Sequence, residues 1–160
     1  MTALTDHTGA AVVGRLTDLP AWEADLILSM RLWMQSPEGQ AEVWTGFARC
    51  FGTVEGRAEM QQFESLLRGL CHNARRPLVR HALGCTCLGT DEAVLRMLVR
   101  EAARGDLAEA TLIASLLVPA GQAEQIALQS ARVGRAMQRM ARHMPQAASR
   151  PDPPRNRRLH

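Results

Sequence analysis

The sequence predicts an all-α protein: a single bundle-like domain of about five long helices plus one or two short ones, with a flexible N-terminal arm and a basic C-terminal tail. Three observations predict it. Apolar residues recur at spacings of three and four from Leu19 onward. Hydroxyl, Pro, acid and Gly residues punctuate that pattern where helices start and stop. No run alternates with period two for long enough to make a strand. At 160 residues and 46% apolar content the chain can bury one substantial core.

Taken in order, residues 1–18 are polar and weakly periodic, and read as a loose arm. The helical domain spans 19–144. Pro20 fits a first helical turn, and Trp22, Leu26, Met30 and Trp33 form an amphipathic face after it. Ser36-Pro37-Glu38 is a helix start, with a hydroxyl N-cap, Pro at the first helical position and an acid in the first turn. That helix carries Val43, Phe47, Cys50 and Phe51 inward and stops near Gly52. A third helix runs from about Glu55 to His72 on Met60, Phe63, Leu67 and Leu70. Pro77 opens a short helix through Leu83. Thr90 is the expected N-cap of the next helix, which breaks at Gly105. Asp106 with Glu109 reads as a capping box before LAEATLIASLLV, whose lack of a polar face places it centrally in the core. A last helix runs to about Met144, and Pro, Arg and Ser dominate 145–160.

The net charge of +3 is positional. Four of the nineteen Arg and one of the sixteen acids fall in 145–160, so the preceding residues carry fifteen of each sign. The chain is a neutral body with a basic tail. All nineteen basic residues are Arg, which excludes lysine Schiff-base chemistry. No stretch approaches the roughly 18 apolar residues of a membrane span. The opening MTALTDHTGAAVVGRL lacks a positive n-region, so no signal peptide is expected. Four Cys without a secretory signal predict reduced thiols and a cytoplasmic location.

One cluster carries specific chemistry: Cys71, His72, His81, Cys85 and Cys87. Zinc needs about four converging soft or borderline ligands. On a helix from Pro77, His81 and Cys85 would share a face at i and i+4, with Cys87 in the Gly-flanked turn. Cys71 or His72 would supply the fourth ligand of a structural zinc. Small thiols filling a crowded helix junction are the bland alternative, and a thiol-redox pair is a third reading. Arg75, Arg76 and Arg80 are candidate anion contacts beside that segment, against pairing with Asp91 and Glu92. Arg132, Arg135, Arg139 and Arg142 line the last helix mostly opposite its apolar stripe Ile126, Ser130, Val133, Met137, Met140 and Met144. The Met-rich end of that stripe suits a docking surface or a homodimer seam.

No G-x-S-x-G, P-loop, G-x-G-x-x-G or H-E-x-x-H is present, so the sequence leans away from an enzyme. The expected function is a small soluble helical binding or regulatory protein acting on another protein. The alternative is a nucleic-acid-associated regulator using the last helix and the tail. A thiol-redox sensor stands third.

Overall fold

The computed structural model describes residues 10–143; residues 1–9, Met144 and the tail 145–160 lie outside the described residues. The described residues form strand β1 (Val12–Arg15), a 3-10 turn over Leu16–Asp18, helices α1 (Ala21–Gln35), α2 (Pro37–Phe51) and α3 (Thr53–Asn73), strand β2 (Cys87–Gly89), and helices α4 (Thr90–Arg104), α5 (Leu107–Ala114) and α6 (Ala120–His143). The all-α class stands, with a two-stranded sheet added at one edge.

Local chemistry accounts for several of the helix ends. Ser36 Oγ accepts from the Gly39 N–H at 3.0 Å, and Pro37 occupies the first position of α2. Asp106 caps α5 by accepting from the Glu109 N–H at 3.0 Å. Gly105 closes α4 in the left-handed region, with φ 93°, where a Cβ would be strained.

The long helix α6 is the centre of the bundle, packing against α3, α4 and α5. Ile126, Ser130, Val133 and Met137 of its stripe are buried, and Met140 packs half-buried against the same core. The described part of the stripe thus faces its own bundle, while Met144 lies outside the described residues. Small residues allow close approach between helices: a Cβ on Gly134 would stand 2.7 Å from Ala103 Cβ and 2.9 Å from Val99 O.

Four expectations are corrected. Residues 77–83 form no helix but an extended strap ending in a turn, Cys85 N–H to Ala82 O at 2.9 Å, because side chains rather than backbone satisfy its polar groups. The loose arm ends earlier than residue 18: β1 pairs antiparallel with β2, and Leu16 is buried and donates to Thr86 O. Gly89, not Thr90, is the N-cap of α4, and Thr90 Oγ1 donates instead to Ala11 O at 3.1 Å. Helix α5 is not central. Ala110, Ile113 and Ala114 are buried, while Leu112 and, just beyond the helix, Leu116 are exposed. Eight residues are enough to bury one face, and the apolar composition of the other face does not change where it points.

Candidate functional site

Arg31 lies on the inner face of α1, one turn after Ile27, and is fully buried. Glu92 sits three residues after the N-cap of α4 and is equally buried. Their pairing is bidentate: Nε to Oε1 at 2.7 Å and Nη2 to Oε2 at 2.8 Å. Arg31 Nη1 also donates to the carbonyls of Ala82 at 3.1 Å and Cys85 at 2.6 Å, and Nη2 to the carbonyl of Cys87 at 2.6 Å. A guanidinium has five N–H groups, and all five are used. Glu92 is saturated in the same way, accepting from the His81 N–H at 3.1 Å and the Gly89 N–H at 2.9 Å as well as twice from Arg31. Burial pushes the Glu92 carboxyl up, but the Arg31 guanidinium and the two backbone N–H groups outweigh it and hold the carboxyl below its usual range. The full set of partners is what makes two buried charges tolerable. A second ion pair, Glu23 of α1 with Arg96 of α4, ties the same two helices together.

This hub organises the cysteine segment. The turn brings Cys85 Sγ to 3.9 Å from His81 Nδ1, and the Cys87 N–H points at Cys85 Sγ from 3.4 Å. His81 Nε2 lies 2.9 Å from the carbonyl oxygen of Ala10. A hydrogen bond with Cys85 and the closeness of its sulfur push the Cys87 thiol up, with burial adding and Arg15 and Arg31 opposing. So His81 Nδ1 and Cys85 Sγ approach one another through a turn rather than along a helix, with the backbone N–H of Cys87 against the same sulfur. Cys71 and His72 sit exposed on the last turn of α3. Among the described residues, no group of three or more His, Cys, Asp or Glu side chains is arranged to hold a metal ion.

Arg75, Arg76 and Arg80 serve three separate internal acceptors. Arg75 Nε donates to Ser115 O, Arg80 Nη2 to Met34 O, and Arg76 grips Asp91 through both Nη atoms at 2.9 and 2.8 Å. Asp91 also accepts from the Val79 N–H at 2.8 Å. The adjacent carboxylates Asp91 and Glu92 therefore hold different stretches of one strap.

On α6, Arg139 bonds to Glu55 and Glu59 of α3 and lies over the Phe51 ring, 4.6 Å from its centroid. Arg142 is exposed in the last turn. Arg132 and Arg135 are exposed and form no ion pair or hydrogen bond with another described residue. They flank a groove between α3 and α6 made of two adjoining hollows, of about 340 and 440 Å³, that share Gln62, Arg132 and Arg135. Leu107 and Leu128, 37% and 43% exposed, form its apolar end.

Sequence reasoning missed Arg31. Its position in register with the face of α1 was the one available signal, and its partner lies 61 residues away. Comparison with protein-family models, curated proteins and solved structures finds no match to this chain. Among the described residues no helix is long and apolar enough to cross a membrane.

Proposed function

We propose that the protein is a binding or regulatory protein whose α3–α6 groove receives an acidic, amphipathic segment of another protein. The observation that carries this reading is the pair Arg132 and Arg135, one helical turn apart and without an ion pair or hydrogen bond among the described residues, beside the exposed Leu107 and Leu128. Residues three apart on a helix share a face, so both guanidiniums reach one ligand. Carboxylates would meet the arginines and apolar side chains the leucines. Exposed ion pairs contribute about 0.2–1 kcal/mol each, so the leucine wall must supply much of the affinity, and the binding is weak and reversible.

A nucleic acid fits this groove less well. It presents a run of phosphates and needs a track of free cations, whereas Glu55 and Glu59 already occupy Arg139. The test uses the full chain and three fluorescent probes: a Glu/Leu amphipathic peptide, its Lys/Leu counterpart and a single-stranded DNA. The acidic peptide alone should bind, and Arg132→Glu with Arg135→Glu should abolish that binding. DNA binding that falls steeply with salt and vanishes on deleting residues 145–160 would replace this reading with the nucleic-acid one. Equal binding of both peptides, or indifference to the double variant, would overturn the groove.

A further inference from the structure

We propose that Cys85 and Cys87 form an exchange-active dithiol for low-molecular-weight disulfides, with Cys85 as the attacking thiol, His81 as its proton acceptor and Cys87 as the resolving thiol. This does not depend on the α3–α6 groove, which is built from other residues.

The arrangement around His81 fixes its tautomer. The Ala10 carbonyl oxygen 2.9 Å from Nε2 can only accept, so Nε2 carries the proton of the neutral ring. That leaves the Nδ1 lone pair directed at Cys85 Sγ, 3.9 Å away. A nucleophile, a base within reach and a third group orienting the base are the parts that activate a thiol. The Cys87 N–H, 3.4 Å from Cys85 Sγ, stabilises negative charge as it develops on that sulfur. The two thiols are also placed unequally, since Cys85 Sγ has both His81 Nδ1 and the Cys87 N–H against it. Both cysteines are half-buried, so a small molecule can reach them. Their own carbonyls are held by Arg31 at 2.6 Å each, which keeps the backbone fixed while the side chains react.

The chemistry balances in two steps. Cys85 Sγ gives its proton to His81 Nδ1 and attacks one sulfur of R–S–S–R. A Cys85–S–S–R bond forms, the original S–S bond breaks, and the departing R–S⁻ takes the proton from His81. Cys87 Sγ then attacks Cys85 Sγ, displacing the second R–S⁻, which leaves as a thiol with the Cys87 proton. Two protein thiols are oxidised and one disulfide is reduced to two thiols. The ring closed between residues two apart is small and strained, so the exchange is readily reversed by thiols.

The test treats the full chain with glutathione disulfide and maps cysteines by mass spectrometry; cleavage after Arg80 and Arg96 isolates Cys85 and Cys87 in one peptide. The more exposed Cys71 is an internal control for simple accessibility. That peptide should lose two hydrogens while Cys50 and Cys71 stay free. Cys87→Ser should trap the glutathione adduct on Cys85, and His81→Asn, checked for native circular dichroism, should slow its formation by about tenfold or more. Adduct formation no faster at Cys85 than at Cys71, or unaffected by His81→Asn, would overturn the proposal. So would stoichiometric zinc in protein purified without chelator that shields both thiols, which would make the segment a metal site.

Discussion

Arg31 and Glu92 show how one residue pair can stand in for a secondary structure. The strap between α3 and α4 lacks helical hydrogen bonds from Ala74 to Thr86, yet Ala82, Cys85 and Cys87 deliver their carbonyls to Arg31 while His81 and Gly89 deliver their N–H groups to Glu92. Removing one partner leaves the other charged, buried and unpaired. Arg31→Met should therefore cost about 3–5 kcal/mol in urea unfolding. The carboxyl supplies a pH dependence of definite sign. The folded state holds Glu92 below its ordinary value of 4.5, so its contribution is fully present above that value and drains away as pH falls through 4.5 toward the folded value. Unfolding measured between neutral pH and about pH 3 should show this loss, and Glu92→Gln should flatten the acid limb.

At the scale of elements, helix packing depends on missing side chains. A Cβ on Gly39 would stand 2.0 Å from the Leu32 carbonyl oxygen, so α1 and α2 cannot keep their spacing with Ala there. Gly39→Ala should destabilise by about 1–3 kcal/mol or more. Gly121, near the start of α6, has nothing within 4 Å of its missing Cβ, and Gly121→Ala should stabilise by up to about 1 kcal/mol. Thermal denaturation of the two variants checks the contrast. Legibility in the sequence follows the same division between local and distant causes. Ser36-Pro37-Glu38 and Asp106 with Glu109 were readable because cap and capped groups are three residues apart. The strap after Pro77 was not, because the groups that satisfy its backbone come from α1 and α4. β1 and β2, at four and three residues, are too short to display alternation. The nearness of His81 to Cys85 was legible from their four-residue spacing. The Arg31 platform beneath them was not, since a lone Arg in an apolar face carries no label for a partner 61 positions on.

For the whole molecule, the N-terminal segment closes over the dithiol strap. Ala10 meets His81, Ala11 meets Thr90, and Leu16 meets Thr86. Residues from three distant stretches, 10–16, 31 and 81–92, therefore form one unit. Hydrogen exchange should reveal it: the amides of His81 and Gly89, though outside helices, should be protected nearly to the level of global unfolding. Arg31→Met should strip that protection almost entirely, whereas the amides of α3 should lose only the amount by which global stability falls.

The span of those contacts also bears on how the chain folds. The bonds of Arg31 to the strap and to Glu92 bridge 51 to 61 residues, and none can form until α1 and α4 have docked and the intervening loop has closed. Local helix contacts accrue earlier, so the guanidinium belongs to the native side of the kinetic barrier. In stopped-flow measurements Arg31→Met should speed unfolding while leaving the refolding limb of the chevron nearly unmoved. The segment bearing the two thiols is then the last to order, and a nascent chain exposes it until α4 has been synthesised.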